Sequence, residues 1–419
     1  MAAELFSGSP PAQRIAALLD EGSVVPPQAH GSLMAGIGSI AGRPAGVIAT
    51  DRQIAGGSFG VIEAEGLSAL LEESHAARRP LILCLDSAGA RLDEGLAALG
   101  AFRHLYRRVL DARLAGLPLL ALIGRDCFGG ASMLAAACAR RIYNPSSRLA
   151  MSGPAVIQAL GGVGELDATD ADAVKALMGG AARAQLMNSD QLCDDALAAY
   201  SETARTWIAE SADASSLDLH QQHTRLGTRL LAQGIAPSPP QSTAGRLPAV
   251  LEEIIPEGME VHSMDGVLCG RNGKTTSNAF FGFIDGTPVS ALAAWTLAGE
   301  CLALADERPG DAVTIFLDSP GQAPTFRDEK LMLSDYIAHL ALVLASLRQN
   351  GHRLTLQVLG DAAGGVYVAL AAPAVRVVAL PGAHVQVLPP AAMARVLRRN
   401  SEPADVDDYL RTGVIDTLI

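Results

Sequence analysis

Three stretches from the first half of this chain return, in the same order, in the second. GRPAGVIATD from Gly42 is matched by GTPVSALAAW from Gly286, and RPLILCLDSAGAR from Arg79 by DAVTIFLDSPGQA from Asp311. LPLLALIGRDCFGGASMLAAACARRIYNP from Leu117 is matched by HRLTLQVLGDAAGGVYVALAAPAVRVVALP from His352. A repeat this long is a duplicated domain, not a short-period solenoid. The 419 residues suffice for each copy to bury a core of its own.

Both copies read as α/β. LILCL and VTIFL are short apolar runs bounded by turn residues, as buried strands should be. Helical patterns lie between the strands, over 95–114 in the first copy and 326–349 in the second. In the latter, Leu331, Ile337, Leu340, Leu344 and Leu347 share a face. Strands alternating with helices predict a mostly parallel sheet with covered faces. The Pro-, Ser- and Gly-rich run GIAPSPPQSTAGR marks a linker. The expected organisation is therefore a domain over 1–234, whose residues 167–233 are extending helices, a linker over 235–246, and a second domain over 247–419.

Composition narrows the function classes. Hydrophobic residues make up 49% and mean hydropathy is +0.25, yet no uninterrupted apolar run reaches the ~18 residues of a membrane span. The net charge of −12 and the 4% aromatic content argue against nucleic acid and against anionic membranes. The opening residues lack a basic stretch followed by an apolar core, so no signal peptide is read and a cytoplasmic location is expected. Cys84, Cys127, Cys138, Cys193, Cys269 and Cys301 show no metal-site spacing and read as buried thiols. The nine histidines are dispersed, and no metal is expected. No GxSxG elbow, HExxH or Walker-type loop is present.

Chemistry concentrates at glycine-rich junctions. In LIGRDCFGGASMLAAACA a strand ends near Ile123 and Gly129-Gly130 opens an Ala-rich helix. Paired glycines admit a ligand close to the backbone, and the first amides of the helix point at an anion. For acyl chemistry such donors form an oxyanion hole for an enolate. Tight strand–helix packing is the competing explanation. Recurrence of the pair as Gly364-Gly365, followed by Val366, favours a shared backbone role. Gly56, Gly57 and Ser58 lead into another helix. Ser87 and Gly89 end a strand ahead of Arg91, which either binds a carboxylate or phosphate or pairs with Asp93 or Glu94. Ser152-Gly153-Pro154 is a rigid turn. His339 is a candidate proton donor or a structural histidine.

Taken together, GRPAGVIATD, AGGSFG, LDSAGARLDEG, DCFGGAS and MSGPAVI resemble biotin-dependent acyl-CoA carboxyltransferases and the β subunit of malonate decarboxylases. LDSPGQAPTFRDEKLMLSDYIAHLA, GHRLTLQVLGDAAGGVY and LPPAAMARV resemble the γ subunit of malonate decarboxylase. The chain thus resembles a β–γ fusion. The resemblance implies two tandem crotonase-like domains of the ββα superhelix type, and it implies decarboxylation of a malonyl thioester to acetyl thioester and CO2. It assigns the thioester oxygen to Gly129 and Gly130, and a facing hole at the carboxylate to Gly365 and Val366. It implies no cofactor bound by the chain itself: the substrate rides on the phosphopantetheine-type, dephospho-CoA-derived arm of an acyl carrier protein, or on CoA. The implied partners are that carrier protein, the acyl-carrier transferase subunit and further copies of the chain. Ala88 and Ala363 depart from the Gly and Ser usual in the two family motifs. No Met-Lys-Met biotin-attachment sequence occurs, which places any biotin on another protein. Carboxyl transfer to such a protein, a non-catalytic subunit, and a hydratase or isomerase using Asp126 are the alternatives.

Overall fold

A computed structural model describes residues 4–210, 217–243, 247–256, 259–271, 278–307, 310, 312–389, 392–394 and 406–418. The end of the expected linker (244–246) and part of the LPPAAMARV stretch lie outside them. The described residues form two compact units.

In the first unit, α1 (Pro11–Leu18) precedes β1 (Val25–His30), β2 (Leu33–Ile40) and β3 (Arg43–Thr50). Then come α2 (Val61–Ala76), β4 (Leu81–Ser87), α3 (Leu96–Leu114), β5 (Leu119–Phe128), α4 (Gly130–Ala137), β6 (Arg140–Tyr143) and β7 (Arg148–Ala150). After α5 (Pro154–Gly161), α6 (Ala171–Met178), α7 (Gly180–Ala184) and β8 (Gln191–Leu192), the helix α8 (Leu197–Glu210) follows. The sheet order is β1-β2-β3-β4-β5-β6-β8, with β7 on β5. β1 to β3 are antiparallel and the rest parallel. Central strand β4 is buried along its whole length, which is why it reads as an unbroken apolar run and does not alternate. Its Ile82 and Cys84 belong to a core that includes Ile15, Leu18, Val47, Leu120, Tyr200 and Ile208.

The second unit starts at α9 (Leu219–Ala232), followed by β9 (Gln241–Ser242), α10 (Ala249–Ile254), β10 (Glu260–Met264), β11 (Val267–Arg271), β12 (Asn278–Phe283) and α11 (Ala291–Glu307). Next are β13 (Ala312–Ser319), α12 (Phe326–Lys330), α13 (Leu333–Gln349), β14 (Arg353–Ala363), α14 (Gly364–Ala371), β15 (Arg376–Ala379), β16 (His384–Gln386), α15 (Val406–Arg411) and β17 (Thr417–Leu418). Its sheet runs β17-β15-β14-β13-β12-β11-β10-β9, with β16 on β14. Again an antiparallel part leads and a parallel part follows. Even an irregularity is shared: the register slips between Leu85 and Ser87 on β4, and between Leu317 and Ser319 on β13.

The grouping in space departs from division at a linker in two places. Helix α9, read from sequence as the tail of the first domain, belongs to the second unit. Its Gly227 faces the Trp295 indole so closely that a Cβ would come within 2.9 Å, and the indole donates to the His223 carbonyl at 2.9 Å. Conversely, Pro324–Asp335 belongs to the first unit. The buried ion pairs Arg183–Glu329 at 3.4 Å and Arg141–Asp335 at 2.5 Å hold it there. The single helix expected over 326–349 is two helices, because Met332 between them has φ +62°. One repeat pairing is also corrected. The counterpart of β3 is β12, which flanks β13 as β3 flanks β4. The stretch at Gly286 instead answers the Gly56 loop, since Val289 bridges Gln322 as Phe59 bridges Ala90.

Candidate active site

The first junction lies at the carboxyl ends of β4 and β5, and it brings most of the sequence-predicted residues of this unit together. Gly129 adopts φ +56° and ψ −129° between β5 and α4, a backbone region open to glycine and strained for other residues. Its N–H is already taken, bonding the carbonyls of Ala150 and Met151, each at 3.2 Å. Its carbonyl accepts the Ser132 and Met133 amides and the Ser132 hydroxyl at 2.7 Å. Gly129 thus shapes the turn. The amides of Gly130 and Ala131 have no acceptor among the described residues. They are the first two donors of an eight-residue helix, which is where orphan N–H groups belong. Gly130 is half-buried, so a ligand can reach it.

Gly89 packs against this turn. With φ +109°, it lies so near that an added Cβ would stand 3.1 Å from the Phe128 oxygen. The Gly89 N–H donates to the Ser87 Oγ at 3.1 Å, and its carbonyl accepts the Phe59 amide at 2.8 Å. Gly56 accepts from Ala88 at 2.9 Å, and Gly57 abuts Asp86, whose carbonyl leaves no room for a Cβ. These glycines set the rim of the junction through close backbone approach. Gly153 lies against the Phe128 ring and caps α5, which Pro154 begins.

Arg91 is engaged inside the unit. Its guanidinium meets Glu63 at 2.5 Å, the Ser58 carbonyl at 2.8 Å, the Ser58 Oγ at 2.9 Å and Glu94 at 3.4 Å. Glu94 is one of the two partners read from sequence; the closer one, Glu63, is distant in the chain. Asp126 is nearly buried, bonded by Arg52, and paired with Arg148 at 2.7 Å. Both carboxylate oxygens of Asp126 are thus engaged by guanidinium groups of its own unit.

Sequence reasoning missed the support beneath this junction. Glu329, fully buried on α12, accepts the Ser152 amide at 2.6 Å and the Met151 amide at 3.3 Å. Arg183, also fully buried, bonds the Glu329 carbonyl at 2.6 Å and the Leu149 carbonyl at 2.8 Å. The Met151 carbonyl in turn accepts the Gly129 amide. Arg183, Glu329 and the 149–152 strand end therefore fix the turn from which the free amides project. Burial pushes the Glu329 carboxyl up to about 7, with Arg183 and the two amides pulling the other way. Ser334 adds a 2.7 Å bond to the Ser132 hydroxyl. Nothing local in the sequence signalled this, because Arg183 and Glu329 lie in different copies of the repeat.

The second junction repeats the backbone. Gly364 has φ +58°, Gly321 has φ +112°, and an added Cβ on Gly321 would lie 3.1 Å from the Ala363 oxygen. Gly321 donates to the Ser319 Oγ at 3.2 Å and accepts from Val289 at 2.8 Å. One side chain differs. Gln322 occupies the place of Ala90, and its Oε1 accepts the Gly365 amide at 3.1 Å. The Gly365 amide, predicted to hold an oxyanion, is thus capped within the chain. Val366 keeps an amide with no acceptor among the described residues. His339 is fully buried in the second unit, and its Nε2 lies 3.2 Å from Nδ1 of His223 on α9. His223 stacks on Trp295 at 4.5 Å, and burial holds its imidazole down to about 4. The geometry around His339 is that of helix packing.

Two family models match in succession: the carboxyl transferase domain over 13–202 and the malonate decarboxylase gamma subunit over 285–414. The first half of the chain is thus similar to a carboxyl transferase domain and the second half to the malonate decarboxylase gamma subunit. Among curated relatives, it is 29% identical over 188 residues to the malonyl-S-ACP:biotin-protein carboxyltransferase MADC of Malonomonas rubra, covering 41% of this chain and 59% of the relative. It is 30% identical over 168 residues to the propionyl-CoA carboxylase beta chain of Saccharopolyspora erythraea, covering 36% and 31%. The chain therefore spans 59% or less of those relatives' length. Among solved structures, it is similar to a Pseudomonas malonate decarboxylase hetero-tetramer in complex with malonate, with TM-score 0.46 and 26% identity over 50% of this chain and 85% of that one. Among the described residues, no helix is long and apolar enough to cross a membrane.

Proposed function

We propose that the chain decarboxylates a malonyl thioester by holding the enolate oxygen on the Gly130 and Ala131 amides. The observation that carries this reading is the pair of orphan donors at the head of α4, in a carboxyltransferase-type unit. Loss of CO2 leaves the bonding electron pair on the α-carbon, conjugated to the thioester carbonyl, so charge accumulates on that oxygen. Fixed N–H dipoles favour this charge more than they favour the neutral carbonyl of the substrate, which is the condition for lowering a barrier. A proton added at carbon then gives the acetyl thioester. Water is the proposed proton source, since His339 is buried against His223. For the second unit, a role for the Val366 amide on the carboxylate or CO2 is part of the same proposal. Gly365 would join it only if Gln322 moved aside.

The malonate decarboxylase gamma match supports a malonyl substrate; work alongside other subunits, an acyl carrier protein among them, is part of the same proposal. The Malonomonas rubra relative favours one second reading, carboxyl transfer from the malonyl thioester to a biotin protein. The deciding experiment supplies the full chain with malonyl-carrier protein or malonyl-CoA, with and without a biotin carrier protein, and follows CO2 and carboxybiotin by mass spectrometry. CO2 and acetyl thioester formed without biotin are the expected result. Consumption only with the biotin protein, leaving carboxybiotin, would replace decarboxylation by transfer. No turnover under any condition would end both readings.

A further inference from the structure

We propose that His262, Cys269 and Glu300 form a site for a divalent transition-metal ion, best suited to Zn2+, in the second unit. The site is independent of the proposed decarboxylation. The β10–β11 hairpin turns through Asp265 and Gly266, with φ +54° and +80°, the two-residue geometry that fixes hairpin register. That register sets His262 directly opposite Cys269, so both side chains leave the same face of the sheet. Helix α11 packs against β11 and carries Glu300. One ligand atom from each residue, an imidazole nitrogen, Sγ and a carboxylate oxygen, lies within 4.8 Å of the others. In a tetrahedral zinc site the ligand atoms stand about 3.3 to 3.8 Å apart, given metal–ligand bonds of about 2.0 to 2.3 Å. Small rotamer adjustments of three side chains on regular elements would close the difference.

The donor set selects the ion. A thiolate with an imidazole and a carboxylate suits zinc, whereas magnesium and calcium take oxygen shells. Three protein ligands leave a fourth position for water. Cys269 is fully buried, while His262 and Glu300 are half-buried, so an ion can enter from the solvent side. A metal ion takes cysteine as the thiolate, so binding releases the thiol proton and affinity should rise with pH. The chain spacing hides the site, since Glu300 comes from an element beyond β12. Once bound, the ion would fasten the hairpin to α11.

The test uses the full chain stripped with a chelator and then titrated with Zn2+ by calorimetry and with Co2+ by absorbance. The expected result is one ion per chain and a thiolate-to-cobalt charge-transfer band. Cys269→Ser should abolish the band, and His262→Ala and Glu300→Gln should each weaken zinc binding at least tenfold. Zinc should also raise the melting temperature of the native chain, by binding only the folded state, and leave that of Cys269→Ser unchanged. If Cys269→Ser fails to fold by circular dichroism, the affinity of Glu300→Gln, altered at a half-buried position, decides instead. Absence of zinc binding in the native chain, or a cobalt spectrum and affinity unchanged by these substitutions, would overturn the proposal.

Discussion

The two Gly-Gly junctions are built to one plan and end in different states. Both place a glycine with φ near +57° at the end of a parallel strand. Both press a second glycine against it, from a loop fixed by the same serine hydroxyl and the same bridge. At Gly130 the helix amide is left open, with Ala90 at the repeat position of Gln322; at Gly365 the equivalent amide is closed by Gln322. Duplication has kept the backbone, and one side chain decides whether the backbone can act on a ligand. A twin-glycine motif is thus a statement about chain path, and donor availability has to be established separately.

The sharpest test transfers the difference. Ala90→Gln should place an amide oxygen where Gln322 holds one and cap Gly130. Occupying an oxyanion donor should cost about 10²- to 10³-fold in kcat, measured on malonyl thioester, with the fold intact by circular dichroism. Native kcat in a well-folded Ala90→Gln chain would mean that the Gly130 amide is not a catalytic donor. This variant is cleaner than Gly130→Pro, because a Cβ at residue 130 would come within 2.7 Å of the Phe102 ring and removal of the N–H would be mixed with a clash.

A smaller effect is expected from the support beneath the open junction. Burial raises the Glu329 carboxyl from 4.5 to about 7. Its contribution to stability is therefore full below pH 4.5 and is lost as pH rises through about 7. Activity should run the other way, because the ionised carboxylate accepts both the Met151 and Ser152 amides and fixes the turn. We expect kcat to climb through a step near pH 7, with KM little changed. Glu329→Gln should remove that step and lower kcat a few-fold at pH 8. A separate step near pH 6 can arise from Asp190, raised to about 6 by burial in spite of its pairing with Arg141; that step should survive in the variant. A pH profile unchanged by Glu329→Gln would reduce Glu329 to a purely structural role.

Much of this was legible in the chain. The paired repeats gave two mostly parallel α/β sheets, since short apolar runs such as LILCL and VTIFL read as buried strands. The glycine junctions were legible for a local reason: positive φ and close backbone approach select glycine. Even Gln322 opposite Ala90 stands in the repeat alignment, where LDSPGQA meets LDSAGAR, although only coordinates reveal which atom its oxygen meets. Long-range pairings were not legible. Arg183–Glu329 and Arg141–Asp335 depend on where the 324–335 segment packs, and charge complementarity between distant residues leaves no periodic trace. The same limit hid His262, Cys269 and Glu300.

The reverse exchange should have the smallest effect and says most about the closed junction. Gln322→Ala uncaps the Gly365 amide, which is buried. Leaving a buried donor without its partner costs about 1–3 kcal/mol, to be read as a lowered denaturant midpoint at unchanged slope. Because Gln322 is already bonded within its own unit, kcat should change by less than tenfold. Water filling the vacated space would restore the hydrogen bond and bring the stability loss toward the lower figure. A hundredfold fall in kcat, with stability nearly native, would show instead that the Gln322 amide itself meets the substrate. The capped junction would then be a second working site that uses a side chain where the first uses the bare backbone.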